Sequence, residues 1–319
     1  MDVIKRIISV PEAGISIILL ILVAFFQVIN PVFLSTGNVA GMLRAMPLTG
    51  IVAIGLAICL ISGTMDISVG AIAGLAATVF ARLITLTDIP IIICGVLGVI
   101  IGVFAGLFNS FIIVNMKVSP FIATISTMYV FRGMATFISN GKSIYPLPES
   151  ISQFGRLQPL DLSWSFFIFL ALIIVAWYMI DGTVWGLSLR ATGSDKESAF
   201  CCEVDVNFIQ RSAIVIAGGL SALAGILSLT ILGSSVPTIG TGWELIAIAG
   251  CAIGGVSLFG YSGSMVGLFL GLLTLQVINN GIITIGISPY LQVVVTGIIL
   301  LVSMILDVRR RSYLNIDQI

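Results

Sequence analysis

Residues 245–306, LIAIAGCAIGGVSLFGYSGSMVGLFLGLLTLQVINNGIITIGISPYLQVVVTGIILLVSMIL, contain no Asp, Glu, Lys or Arg. A water-facing domain needs charge every few residues, so an uncharged run of this length belongs in hydrocarbon. A helix rises about 1.5 Å per residue, and about 20 apolar residues cross the ~30 Å bilayer core. The run is long enough for three crossings joined by short turns.

The rest of the chain repeats the pattern, with charge-free runs at 13–43, 45–65, 89–116, 162–180 and 212–243. Charged residues make up 9% of the 319, against about a quarter in soluble domains, and nothing is left over for a sizeable soluble domain. Backbone polar groups in lipid must be satisfied internally, and the 20-residue period suits helices rather than ~10-residue barrel strands. The expected fold is all-α and polytopic, one transmembrane domain over 1–319. About ten spans are expected, at 13–34, 45–62, 67–85, 89–115, 120–138, 164–181, 212–232, 244–258, 264–284 and 288–307.

An even number of spans puts both termini on one side. With them in the cytoplasm, that side holds Lys5, Arg6, Lys117, Arg190, Lys196, Arg211, Arg309, Arg310 and Arg311, against Arg44, Arg82, Arg132, Lys142 and Arg156 outside. The excess favours both ends inside. Two larger loops remain: 139–163 outside, read as an extended cap rich in proline, and 182–211 inside. Net charge is zero, which gives no electrostatic reason to expect nucleic acid. There is no histidine, phosphate loop or metal-ligand spacing, and the five cysteines suggest neither a disulfide framework nor zinc. Enzyme chemistry on this chain is not expected.

Asn109-Ser-Phe-Ile-Ile leading to Val118-Ser-Pro-Phe-Ile122 resembles Asn280-Gly-Ile-Ile leading to Ile287-Ser-Pro-Tyr-Leu291. The copies stand five expected helices apart, an odd number, and so point opposite ways, as in the inverted repeats of transporters. Asp66 and Glu244 are the acidic residues placed to couple an ion. Both also stand where a helix starts, and those signals favour capping. Gly218, Ser221, Ala222 and Gly225 form a small-residue stripe read as helix packing. In 182–211, Ser194 or Asp195 can cap a short helix; a plain solvated loop is the other reading.

Several stretches together resemble one family. Ser62-Gly-Thr-Met-Asp-Ile-Ser-Val-Gly70 is similar to the Gly-Gly-Ile-Asp-Leu-Ser-Val-Gly motif of the ribose-type permeases of bacterial ATP-binding-cassette importers, the monosaccharide and autoinducer-2 branch. Ser119-Pro-Phe-Ile-Ala-Thr124 with Arg132-Gly133, Arg190-Ala-Thr-Gly-Ser194, Gly242-Trp-Glu-Leu245, Gly254-Gly-Val-Ser-Leu258 and Asn279-Asn-Gly281 follow in the family's order.

The resemblance implies a permease subunit in the bacterial cytoplasmic (inner) membrane that moves a monosaccharide or similar small polar solute. ATP would be hydrolysed by a separate subunit, which would hold the ATP and magnesium; the permease itself would carry no cofactor. The partners implied are that ATP-binding subunit, a second permease copy or homologue, an extracytoplasmic solute-binding protein and membrane lipid. It also implies that Arg190, Ala191, Gly193, Lys196, Glu197, Ser198 and Ala199 couple to the ATPase, and that Asp66, Ser68, Gly70, Asn109, Glu244, Asn279 and Asn280 belong to the translocation path or its motifs. Where the family usually shows Gly-Ile to end the coupling helix, this chain has Cys201-Cys-Glu-Val-Asp205. An ion-coupled secondary transporter is the alternative function.

Overall fold

A computed structural model of the chain describes residues 11–156, 162–288 and 291–313. Among these residues the regular structure is helical, as the charge-free runs require. The helices are α1 (Pro11–Ile29), α2 (Thr36–Ile61), α3 (Val69–Leu86), α4 (Ile91–Ser110), α5 (Pro120–Ser139), α6 (Glu149–Arg156), α7 (Trp164–Gly182), α8 (Val184–Ser194), α9 (Lys196–Cys201), α10 (Val206–Leu232), α11 (Trp243–Ile253), α12 (Met265–Thr284) and α13 (Leu291–Tyr313). A π-helical turn, Phe111–Asn115, extends α4.

Eight of them are long and apolar enough to cross a bilayer: α1, α2, α3, α4 with its π turn, α5, α7, α10 and α12. The apolar part described in α13 is Val294–Ile305. The expected span at 244–258 is instead α11, whose 11 residues reach about 16 Å, half a bilayer. Gly242 and Gly255 have φ of 81° and 75° at its two ends, which halts the helix where hydropathy alone runs on. The span expected at 212–232 starts earlier: Asp205 caps α10 by accepting from the Phe208 amide at 2.9 Å, so Arg211 lies inside the helix rather than at its border. Arg132, counted on the outer side, lies within α5 as the expected span 120–138 requires.

The segment 139–163, expected outside, is only partly extended. It includes α6, and Ile144 pairs with Ser235 through two backbone bonds of 2.8 and 3.2 Å. Residues 157–161 of that loop, Pro289 and Tyr290 of the second repeat copy, and the first ten residues lie outside the described residues.

The long helix α10 is the axis of the bundle, packed against α2, α3 and α4. Its small-residue stripe makes this possible. A Cβ on Gly218 would overlap the Gly102 carbonyl oxygen, and one on Gly225 would overlap that of Ala73. Gly98, Gly102 and Gly106 of α4 meet Ile226, Ala222 and Ile214 in reverse order, so α4 runs antiparallel to α10. Backbones this close exclude lipid and gain dispersion contacts along the whole helix. The second half of α2, Gly50 to Ile61, is buried throughout.

The element order also repeats. The 26-residue α2 leads through a non-helical break, 62–68, to α3, then α4 and α5. The 27-residue α10 leads through a break, 233–242, to α11, then α12 and α13. The Asn-to-Ser-Pro copies fall at corresponding places, running from the ends of α4 and α12 to the starts of α5 and α13.

Candidate functional site

Residues 61–74 thread three junctions in turn, where the candidates Asp66, Ser68, Gly70, Asn109, Gly193 and Glu244 lie. The first junction is a knot of backbone. The end of α8 places Gly193 where a Cβ would overlap the Ile61 carbonyl oxygen and stand 2.7 Å from the Tyr261 amide nitrogen. Tyr261 itself donates its amide to the Ile61 oxygen at 3.1 Å. Gly63 and Gly260 close the knot, each built so that only glycine lets the other chains approach.

The second junction lies at the break before α3. Asp66, Ser68 and Asn109 are fully buried. One Asp66 carboxylate oxygen accepts from the Ser68 amide at 2.8 Å and its hydroxyl at 2.6 Å. Asn109 Nδ2 donates to the other oxygen at 3.2 Å and to Ser68 Oγ at 2.8 Å. Helix α3 starts at Val69 with Ser68 in the capping position, two residues after the expected start near Ile67. Asp66 therefore serves as a turn-closing acceptor just before the helix rather than as its cap.

That geometry predicts an outcome. In Asp66→Asn the amide oxygen still accepts from Ser68, and the Asn109 amide can turn over to accept from the new NH2 group. The loss is about 1 kcal/mol, one hydrogen bond's worth. Uptake per transporter in the membrane should stay within a few-fold of wild type. Asp66→Leu, which leaves the Ser68 amide and hydroxyl without their acceptor, should abolish it. Equal loss in both variants would assign Asp66 a charge-dependent role.

The third junction joins α3 and the half-helix α11 by their N-termini. Gly70 of α3 lies against the Gly240 carbonyl and the Glu244 carboxylate, so that a Cβ would overlap both. Glu244, in the first turn of α11, accepts from the Gly242 amide at 3.2 Å, as its helix-start reading expects. Arg132 reaches across from α5 and donates to the Ile239 carbonyl at 2.6 Å, within electrostatic range of Glu244. A cation inside a span is a functional signal. The sequence alone marks Arg132 only as a basic residue of the outer side and part of the Arg132-Gly133 motif, not as a site residue, and so misses that signal.

Asn279 and Asn280 do not join this group. The Asn280 and Asn38 side chains exchange hydrogen bonds of 2.8 and 3.0 Å, and the Asn279 carbonyl accepts from Gln292. Asn38 stands at the start of α2, about 35 Å of helix from Ile61.

Past the knot, α8 and α9 form an elbow at one end of the bundle. Thr183 caps α8, and Asp195 caps α9 by accepting from the Ser198 amide at 2.6 Å. That bond holds the exposed Asp195 carboxyl below the usual range. A helix is therefore present where the loop reading was the other option.

The Cys201–Asp205 segment ends α9 without glycine. Val204 and Glu203 return their amides to the Ala199 and Phe200 carbonyls, with Glu203 in the left-handed region at φ 62°. Lys196, Glu197 and Ser198 face outward, and Phe200 is 74% exposed. Lys196, Glu197 and Phe200 border a groove of about 540 Å³ shared with Val204 and Asn207. Ala199 is buried, as is part of Gly193 and Ala191. Arg190 pairs with Asp181 of this chain at 2.5 Å, which ties α8 to the end of α7.

Residues 38–304 match the family model described as branched-chain amino acid transport system / permease component. The chain is 34% identical over 296 residues to the ribose import permease protein RbsC of Bacillus subtilis (strain 168), covering 92% of this chain and 91% of that one. It is 33% identical over 304 residues to the L-arabinose transport system permease protein AraH of Escherichia coli (strain K12), covering 93% and 90%. Identity to the D-allose transport system permease protein AlsC of the same organism is 30% over 295 residues, covering 92% and 90%. These alignments run nearly end to end, so the likeness is between whole chains. No solved structure matches the chain.

Proposed function

The chain belongs to the branched-chain amino acid transport system / permease component family, and from that premise we propose that it is the membrane subunit of an ATP-binding-cassette importer for a monosaccharide or similar small polar solute. The sugar class comes from the ribose, arabinose and allose permeases it resembles over nine-tenths of its length. ATP and magnesium would be held by a separate subunit, and an extracytoplasmic binding protein would deliver the solute.

The observation that carries this reading is the α8–α9 elbow. A capped helix with exposed Lys196, Glu197 and Phe200 beside a groove, anchored at Gly193 to the bundle's interior, suits a partner that pushes. A rigid helix transmits a displacement that a flexible loop would absorb. In this reading α8, α9 and both termini face the cytoplasm, and the membrane is the bacterial inner membrane.

A second permease copy or homologue would complete the passage. Helix α5 supports this: Ser126, Tyr129 and Thr136 are exposed along it, and a polar stripe is poorly matched to acyl chains. The ion-coupled alternative would draw on Asp66, whose carboxylate is already engaged by Ser68 and Asn109.

Reversing one charge on α9 tests the docking. Desolvated charges at an interface fix its register, and leaving one unpaired costs roughly a few kcal/mol. Glu197→Arg should weaken co-purification of the ATP-binding subunit by about tenfold or more. Docking of the binding protein should be unchanged. Full retention of the ATP-binding subunit and of solute-stimulated hydrolysis would remove α9 from the interface.

A further inference from the structure

The three junctions form a closed ring of contacts. From Gly193 one route follows Ile61 and Gly63 through the Asp66 turn to Gly70, in ten residues of a single segment. A second route leaves Gly193 through Tyr261 and the loop 254–264. That loop is drawn tight by the Ser257 amide bonding the Ser262 carbonyl at 2.9 Å, and it continues into α11 at Gly254. Gly254 is held against Gly267 of α12, where a Cβ would stand 2.6 Å from the Gly267 oxygen. Helix α11 then returns to Glu244 and Gly240, which lie on Gly70. The knot is backbone against backbone, and at the Gly70 junction the Gly240 carbonyl is joined by one side chain, the Glu244 carboxylate.

We propose that Gly193 is the positioning residue through which α9 moves α3 and the half-helix α11: the ring α8–Ile61–Gly70–Gly240–α11–Tyr261 travels as one rigid body, and motion imposed on α9 reaches the Gly70–Gly240 junction undiminished. This rests on the importer reading and adds a route from the docking elbow to the interior. Packed backbones of this kind have discrete arrangements rather than a soft response, which lets them carry a displacement. An alanine at 193 would push the Ile61 carbonyl away and break the ring at its first link, while leaving Lys196, Glu197 and Phe200 on the surface to dock.

The test uses the assembled transporter in liposomes, with one permease chain carrying spin labels at Lys196→Cys and Phe259→Cys on a background lacking the five native cysteines. The expected distance between the labels is the same without nucleotide and with ATP trapped. A shift between the two states would show α9 sliding against the ring and overturn the proposal.

In Gly193→Ala, solute moved per ATP hydrolysed should fall about tenfold, with the ATP-binding subunit still bound. An unchanged ratio would also overturn it. Should that variant fail to fold, the label distance decides alone. Wild-type permease that fails to co-purify an ATP-binding subunit would count against the importer reading, a different outcome from either of these.

Discussion

Gly70→Ala and Gly240→Ala are each expected to leave almost no folded protein in the membrane, whereas Gly41→Ala accumulates normally. At Gly70 the added methyl would enter the Gly240 carbonyl and the Glu244 carboxylate together. Neither atom can step aside, because Gly240 is backbone and Glu244 is tied to the Gly242 amide. At Gly240 the methyl would enter the Gly70 carbonyl, and the residue also has φ 78°, where a side chain adds about 1–2 kcal/mol. Overpacking costs about 1–3 kcal/mol where neighbours can yield, and more where they cannot. Gly41, on the exposed side of α2, has open space where its Cβ would be, and alanine there gains helix propensity. Yield and elution profile in mild detergent after equal expression report the result. Normal yields for the position 70 and 240 variants would mean the starts of α3 and α11 are not in backbone contact.

The second large effect separates two neighbours on α10. Gly218→Ala is expected to destabilise the bundle severely and Gly219→Ala to change little. A Cβ at 218 would overlap the Gly102 oxygen and stand 3.1 Å from the backbone of Gly106. One at 219 would meet only the end of the Val103 side chain at 3.4 Å. The two substitutions have the same chemistry and differ by 100° around the helix, so propensity cancels and packing alone decides. Thermal unfolding in detergent should drop by many degrees for the first and by a few at most for the second. Similar curves would place the wrong face of α10 against α4.

The stripe at 218–225 was legible because four-residue spacing on one span has a direct geometric meaning, and the Asp195 cap was legible from its place in the loop. Membrane-length helices came from charge-free runs for the same reason. The half-helix α11 was not legible: nothing charged interrupts 245–306, and its ends depend on left-handed glycines at 242 and 255 that read like any other glycine. The ring was out of reach because Ile61, Gly193 and Tyr261 are separated by 68 residues or more and meet through backbone atoms. Asn279 and Asn280 carried a family motif, and motif membership does not say which neighbour a residue finds; here the Asn280 side chain meets Asn38, and the Asn279 backbone carbonyl meets Gln292, rather than Asp66.

What drives transport is the most direct question to put to the importer reading. Inside-out or reconstituted vesicles holding the permease, its ATP-binding subunit and the binding protein can be given ATP and then a protonophore. Solute accumulation should persist after the proton gradient collapses and stop when ATP is withdrawn. Accumulation that stops with the gradient while ATP remains would contradict the account and make the chain an ion-coupled carrier.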